Sequence, residues 1–259
     1  MNKPLTIKTL AKRGLSIGVA SAILSASSLH GIITYVLPGN TDLDAWDNLT
    51  VTNPQVSAAG GAYGSFPGAS PWPAPIESVL TQDTVDTIDD DPTGDATFNK
   101  TSGFGYPAGV SIYSSPFGNG SYTVEDATPI SNLETIIFQI DIGEGSSGFL
   151  IGDATLTVNG TTAVALLDGG LVSADSTGNP FGGGTITLGT FGYQWDVSGL
   201  GPITSFNIDF TTSGTSTTIY DLRLDQGDQF FAVGVPEPGF AALILGLGAM
   251  GIVARRRRS

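Results

Sequence analysis

The sequence predicts an all-β fold, a single antiparallel β-sandwich of jelly-roll type with Greek-key connections. Three observations predict it. Apolar residues alternate with polar ones in several short runs of the second half, Asn159-Gly160 separates two of these runs, and no amphipathic helix lies between the two ends of the chain. Such alternation buries one face of each strand and leaves the other in water, which is typical of two packed antiparallel sheets.

Residues 1–31 predict a secretory signal peptide. An apolar core at 15–24 is followed by small residues at 25–28, and we expect cleavage between Ser28 and Gly31. The alternative, an uncleaved membrane anchor, is disfavoured because the apolar core is too short to span a bilayer. The basic residues that precede this core are Lys3, Lys8, Lys12 and Arg13.

The body of the chain, residues 32–234, is expected to be one acidic extracellular domain. Its first half carries weak strand signals at 32–37, 47–52, 110–113 and 122–125. Between them, residues 53–78 are rich in proline and glycine, which break helices and central strands, so a long surface loop bearing Trp72 is expected there.

An acidic cluster follows this loop. Six aspartates fall within thirteen residues that also contain Pro92 and Gly94, a loop composition able to gather several oxygen ligands around one Ca²⁺ ion. The alternative is a solvated acidic loop, and the spacing does not match an EF-hand. The candidate calcium ligands are Asp86, Asp89, Asp91 and Asp95.

The second half carries the clearest strands. Asn159-Gly160 predicts a hairpin with a type I′ turn, because both turn positions need positive φ values. On the later strands, Tyr193 and Trp195 share one face and are expected in the core, and Arg223 is expected to be a structural charge partner of neighbouring aspartates. The alternating apolar residues are Ile136, Phe138, Ile140, Ile142, Leu156, Val158, Val164, Leu166, Ile186, Leu188, Phe191, Tyr193, Trp195, Val197, Phe206, Ile208, Phe210, Tyr220, Leu222 and Leu224.

Residues 235–259 predict a membrane-inserted tail. An apolar and glycine-containing run at 239–254 lies between a Pro-Glu-Pro segment and an arginine cluster. A transmembrane helix needs about 20 residues, and the stretch 235–254 just supplies them. The arginines are expected to stay on the cytoplasmic side. The residues of this sorting tail are Pro236, Glu237, Pro238, Arg255, Arg256, Arg257 and Arg258.

This tail, together with the N-terminal signal peptide, resembles the PEP-CTERM proteins, which are exported bacterial proteins. The resemblance implies processing by an exosortase, a membrane-embedded enzyme that recognises the Pro-Glu-Pro segment, in hosts that typically make extracellular polysaccharide. It also implies transient anchoring in the inner membrane before a cell-surface or extracellular location. The prolines keep the segment extended and accessible. An ordinary single-pass tail anchor is the alternative.

The charge distribution restricts the partners of the body. Residues 32–235 contain two basic residues, Lys100 and Arg223, against 23 acidic residues, a net charge of −21. Nucleic acid is excluded as a partner, because phosphate binding requires cationic side chains. The chain has no cysteine, so the domain depends on its apolar core rather than on disulfides.

Catalytic residue types are scarce. The one histidine, His30, lies at the expected cleavage site, which removes serine–histidine and cysteine–histidine catalysis and histidine-ligated zinc from the mature domain. A carboxylate pair remains available for glycoside hydrolysis, but the glutamates are scattered along the sequence. Trp72 is a candidate for stacking on sugar rings, and the alternative is that it seals an edge of the sandwich.

These observations favour a non-enzymatic surface or extracellular-matrix protein that an exosortase-type system sorts and that stays associated with extracellular polysaccharide. The alternative is a carbohydrate-binding module. A glycosidase that uses carboxylates alone is the third hypothesis. No cofactor is predicted apart from the candidate Ca²⁺.

Overall fold

The computed structural model describes residues 32–47, 49, 63, 68–78, 93–109, 111–114, 119–143, 151–178, 185–213 and 216–232. These residues form thirteen β-strands and no helix, which confirms the predicted all-β class for this part of the chain. Among the described residues, no helix is long and apolar enough to cross a membrane. The predicted signal-peptide and transmembrane helices lie outside the described residues.

The strands form two sheets, and all pairings are antiparallel. Sheet 1 contains β1 (Thr41–Trp46), β4 (Tyr106–Pro107), β5 (Ile112–Tyr113), β7 (Thr135–Gly143), β10 (Asp168–Gly178), β11 (Thr185–Asp196) and β13 (Thr218–Gly227). Sheet 2 contains β2 (Ile76–Glu77), β3 (Thr97–Gly103), β6 (Gly120–Asp126), β8 (Thr155–Val158), β9 (Thr162–Val164) and β12 (Phe206–Thr212).

Neighbours within each sheet are distant in sequence. Sheet 1 has the order β10-β11-β7-β13-β5-β4. β1 and β5 pair with the same edge of β13, β5 with its first residues and β1 with its later ones. Sheet 2 has the order β2-β3-β6-β12-β8-β9. Because the chain passes back and forth between the sheets, each sheet is completed only when the last strands, β12 and β13, take their places.

Strand β7 is central to sheet 1 and is buried on both faces. All nine of its residues are buried, and it pairs with β11 on one side and β13 on the other. The alternating isoleucines and Phe138 face sheet 2, as the sequence predicts. The opposite face, which the alternation predicts to be wet, carries Ile137, Gln139 and Asp141 and is covered as well.

The two sheets pack face to face through aromatic side chains. Phe138 on β7 lies 5.5 Å from Phe210 on β12, and Trp46 on β1 lies 6.3 Å from Phe98 on β3, measured between ring centroids. These rings belong to one apolar cluster that draws on both sheets. Burial of each large side chain stabilises the fold by about 1.5–3 kcal/mol, so this shared core holds the sheets together.

The predicted hairpin is present at β8 and β9. Asn159 and Gly160 have φ values of 51° and 73°, and the Thr161 N–H donates to the Val158 carbonyl at 3.2 Å, which confirms the positive-φ turn. The pairing of Val158 with Thr162 leaves three residues in the loop, one more than the simplest type I′ hairpin contains.

Five strands differ from the sequence-based expectation. The N-terminal strand of the sheet is β1, at 41–46, whereas 32–37 has no strand pairing and the described residues of 47–52 are not in a strand. Strands β2, β3, β4 and β10 were not predicted, and β2 lies in the stretch 53–78 where a loop is expected. β10 reads Asp-Gly-Gly-Leu-Val-Ser-Ala-Asp-Ser-Thr-Gly, which lacks alternation because an edge strand buries little of either face.

We expect Phe210→Ala to lower the free energy of unfolding by about 3–5 kcal/mol, because the cavity removes ring contacts from both sheets. The Phe210 ring contacts Phe98, Tyr122 and Phe138. Urea unfolding measures the loss. Thr211→Ala, at the exposed neighbouring position, is the control and should change stability by less than about 0.5 kcal/mol. A small loss at Phe210 would contradict a shared core.

Candidate functional site

The N-terminal strap, residues 32–37, covers the outer face of sheet 1. Its main contact is a paired hydrogen bond with Gln139 on β7. The Ile33 N–H donates to Gln139 Oε1 at 2.8 Å, and Gln139 Nε2 donates to the Ile33 carbonyl at 2.7 Å. Leu37 packs on Ile137. A side-chain amide thus substitutes for the strand partner that this segment lacks, which satisfies its backbone without a ladder.

An ion pair lies beside this strap. Arg223 on β13 is 2% exposed and donates from Nε and Nη2 to the Asp225 carboxylate at 2.7–3.0 Å. Its Nη1 donates to Thr34 Oγ1 at 3.4 Å. Burial, with the charges of Asp225 and Asp168, raises the pKa of Tyr35 to about 12. The expected structural role of Arg223 is confirmed for Asp225.

The C-terminal strap, residues 228–232, lies on the same sheet. The Phe231 N–H donates to Thr135 Oγ1 at 3.1 Å, and Gln194 Nε2 donates to the Phe231 carbonyl. Thr135 Oγ1 also donates to the Gln229 carbonyl at 3.0 Å, and the Phe230 N–H donates to Glu134 Oε2 at 2.8 Å. Side chains of β7 and β11, and of Glu134 just before β7, therefore hold a segment that has left the sheet ladder.

The two straps are joined to each other. The Asn40 N–H donates to Asp228 Oδ1 at 2.8 Å, and the Asp228 N–H donates to the Asn40 carbonyl at 3.0 Å. Phe231 and Leu37 also pack in one small apolar cluster. Both ends of the described domain consequently leave from the outer side of sheet 1, where the predicted signal peptide precedes the domain and the predicted tail follows it.

Asp44 is a buried carboxyl group at the edge of the sandwich. It is fully buried, Oδ1 accepts the Ala96 N–H at 3.0 Å, and Oδ2 has no hydrogen-bond partner among the described residues. Burial raises the pKa of Asp44 to about 7; the hydrogen bond from Ala96 opposes this shift, and the charge of Asp42 adds to it. Asp44 therefore gains a proton near neutral pH.

A second buried carboxyl group, Asp126, lies near Asp44. Its oxygens accept the Thr128 N–H at 2.7 Å and Gln226 Nε2 at 2.6 Å. Burial raises the pKa of Asp126, and the charges of Asp95 and Asp42 contribute. This edge of the domain thus carries several mutually repelling carboxylates.

Of the candidate calcium ligands, the structure describes one. Asp95 accepts hydrogen bonds from Thr128 Oγ1 at 2.9 and 2.7 Å. Asp86, Asp89 and Asp91 lie outside the described residues. Within the described part of the chain, no group of three acidic or histidine side chains is arranged to hold a metal ion. Calcium binding stays a prediction.

Trp72 lies in the core between the sheets. It is 3% exposed, its Nε1 donates to the Gly105 carbonyl at 3.2 Å, and its ring contacts Tyr63, Phe98 and Tyr122 at centroid distances of 5.2–6.1 Å. The expected sugar-stacking role requires an exposed ring face, which this placement does not offer. The position agrees with the alternative, a side chain that seals the sandwich, because burying a ring of this size is more favourable than leaving it exposed to water.

Lys100 is a buried basic residue whose burial the sequence did not predict. It is fully buried on β3, its Nζ donates to the same Gly105 carbonyl at 2.6 Å, and Nζ lies 5.7 Å from the centre of the Trp72 ring. Burial lowers the pKa of Lys100 to about 8. Its pairing partner Tyr122 lies in a predicted strand, 122–125, but no sequence pattern predicted the burial of Lys100 itself.

The surface of the domain is left without exposed cations. Lys100 and Arg223 are the two basic residues of 32–235, and both are buried. Every charged side chain exposed in the described part is therefore acidic. The body therefore offers no exposed Lys or Arg side chain for contacts with phosphate groups.

Comparison with known proteins identifies the tail. Residues 234–258 match the family model described as the PEP-CTERM protein-sorting motif. The match implies an exported protein that is anchored in the membrane by its tail and then processed by an exosortase-type enzyme. No curated protein and no solved structure matches the chain.

We expect Asp44→Asn to stabilise the protein at pH 8 by about 1–3 kcal/mol and to have little effect below pH 4. The pKa of Asp44 is higher in the folded state than the unfolded value of 3.8, so the wild type loses stability as pH rises from about 4 to about 7. Urea unfolding across this range measures the slope. Asp209→Asn, an exposed position, is the control; parallel profiles for Asp44→Asn and wild type would contradict the assignment.

We expect Lys100→Met to match or exceed the wild type in stability at pH 7, because it removes a buried charge and leaves Gly105 bonded to Trp72. The lowered pKa of Lys100 means that wild-type stability rises between about pH 8 and 10.5, and the variant should lose this rise. Thermal or urea unfolding measures both. Lys100→Ala, which leaves a cavity, should instead destabilise by about 2 kcal/mol or more.

Proposed function

We propose that this chain is an exported, non-enzymatic surface or matrix protein, which an exosortase-type enzyme sorts through the C-terminal motif. The match at residues 234–258 carries this proposal. The chain contains no thiol, and its one histidine, His30, precedes the expected mature domain. A structural role outside the membrane fits this inventory better than nucleophilic or histidine-based catalysis.

The charge of the body supports an extracellular structural role. A net charge of −21 over residues 32–235, with both basic residues buried, keeps copies of the domain apart and soluble. It also attracts divalent cations as counterions. Association with extracellular polysaccharide belongs to this proposal through the resemblance of the tail to PEP-CTERM proteins.

We infer that the domain is a jelly roll. The strand orders β1-β13-β7-β11 and β6-β12-β8-β9 support this topology. Along the chain these eight strands alternate between the two sheets except at the β8–β9 hairpin, as they do in two Greek keys. Strands β2 and β3 extend sheet 2 beyond β6, and β10 extends sheet 1 beyond β11. The topology alone assigns no ligand, since this architecture hosts many functions.

The two other functional hypotheses stay open as predictions. Trp72, the candidate for stacking on sugar rings, is buried, so a Trp72→Ala variant would report on folding rather than on sugar contact. A carboxylate-only glycosidase needs two acids at a defined separation around a substrate. The buried Asp44 and Asp126 are held by hydrogen bonds within the domain, which does not favour that role.

Expression in a host with an exosortase-type enzyme tests the proposal. We expect the chain to be shortened at its C-terminus and to leave the membrane fraction, because the enzyme recognises the Pro-Glu-Pro sequence, whose prolines disfavour a helix. A variant with Pro236→Ala, Glu237→Ala and Pro238→Ala should remain full-length and membrane-bound. Deletion of the enzyme should have the same effect on the wild type.

Pro202→Ala is the matched control, since it changes an exposed proline in a loop of the domain body. Immunoblots of membrane and extracellular fractions measure the outcome. Equal processing of the motif variant and the wild type would overturn the proposal.

A further inference from the structure

We propose that the C-terminal strap, residues 228–232, is a releasable tether that limits access to the sorting motif. With the strap docked on sheet 1, five residues of chain connect its last bonded residue, Phe231, to the start of the motif at Pro236. The processing enzyme acts on the chain after the strap has detached. This inference rests on the proposed function, because it concerns the regulation of that same processing step.

The length of chain between the strap and the motif sets the largest possible distance between the domain and the motif. Phe231 is bonded to Thr135 and Gln194, and Pro236 lies five residues further on. Five residues span at most about 18 Å when fully extended. Gly227, the last residue of β13, lies nine residues before Pro236, which corresponds to at most about 32 Å. Release of the strap thus adds about 14 Å of reach.

The strap is held in a way that permits release. It forms no strand pairing. Hydrogen bonds with Thr135, Glu134 and Gln194 hold it, together with the Asn40–Asp228 pair at its base and the packing of Phe231 against a small apolar cluster. Phe230 is 41% exposed and Phe231 is partly buried, so opening exposes the apolar area of one partly buried ring. Segments with few buried contacts open at much lower free energy than the core.

Electrostatics favours the released position when the tail is in a membrane. The docked strap keeps a body of net charge −21 within about 18 Å of the motif, and the motif immediately precedes the apolar run. Anionic headgroups repel such a body at short range, within about a Debye length. A longer tether moves the domain away from the membrane and gives the enzyme room.

Two kinds of variant of the full chain test the tether, with pulse-chase measurement of C-terminal processing in a host that contains the enzyme. Thr135→Val removes two hydrogen bonds to the strap and Gln194→Ala removes one. We expect each variant to speed processing by about threefold or more, since one such bond changes the population about threefold to tenfold. Insertion of four Gly or Ser residues between Ala232 and Val233 lengthens the reach by about 14 Å with the strap still docked. It should speed processing without altering the fold.

Thr155→Val is the matched control for Thr135→Val. It removes a threonine hydrogen bond, from Oγ1 to the Asp209 carbonyl at 3.3 Å, on β8 of the other sheet. Its processing rate should equal that of the wild type. Amide hydrogen exchange at Phe231 gives a second readout and should be faster in Thr135→Val than in Thr155→Val.

The outcomes separate the tether from the proposed function. Normal processing of the wild type, with unchanged rates in the insertion and in both strap variants, would overturn the tether and leave the proposed function standing. If the wild type is never shortened, the proposed function and the tether both fail. Faster processing of the insertion together with either strap variant supports the tether.

Discussion

The burial of β7 on both of its faces is the constraint on which the rest of the structure depends. Its inner face meets sheet 2 through Phe138 and the isoleucines, which makes the shared core. Its outer face carries Gln139 and Asp141, which cannot be buried without partners. The chain ends supply part of that cover: the N-terminal strap satisfies Gln139, and the C-terminal strap bonds to Thr135 at the start of the strand.

The same constraint connects the fold to sorting. Because the straps cover one sheet face, the segments that join the domain to both ends of the chain lie close together, with Asn40 and Asp228 bonded directly. Both connections to the ends of the chain therefore leave the described domain from the same side. Its two basic residues are buried: Lys100 donates a hydrogen bond to the Gly105 carbonyl, and Arg223 forms an ion pair with Asp225. The exposed charges of the body are therefore acidic.

Sequence patterns predicted the strands whose burial is one-sided or whose turns are local. The alternation in β12 and the Asn159-Gly160 turn both appear in the structure, since period-two burial and positive φ are properties of a few adjacent residues. The patterns failed for β10, an edge strand without a buried face, and for the outer face of β7, which is covered by segments about 100 residues away. Trp72 was expected on the surface because prolines surround it, yet its ring fills the space between the sheets.

The amino-acid sequence by itself determined the all-β class, the acidic balance of the body and the sorting motif at 234–258, because each depends on residue types or on short-range spacing. Tertiary structure alone decided the burial of Lys100, the protonation of Asp44 near neutral pH and the docking of both chain ends on sheet 1. These features arise from contacts between segments far apart in the chain. Desolvation and hydrogen bonding at such contacts depend on the assembled surroundings and not on the local sequence.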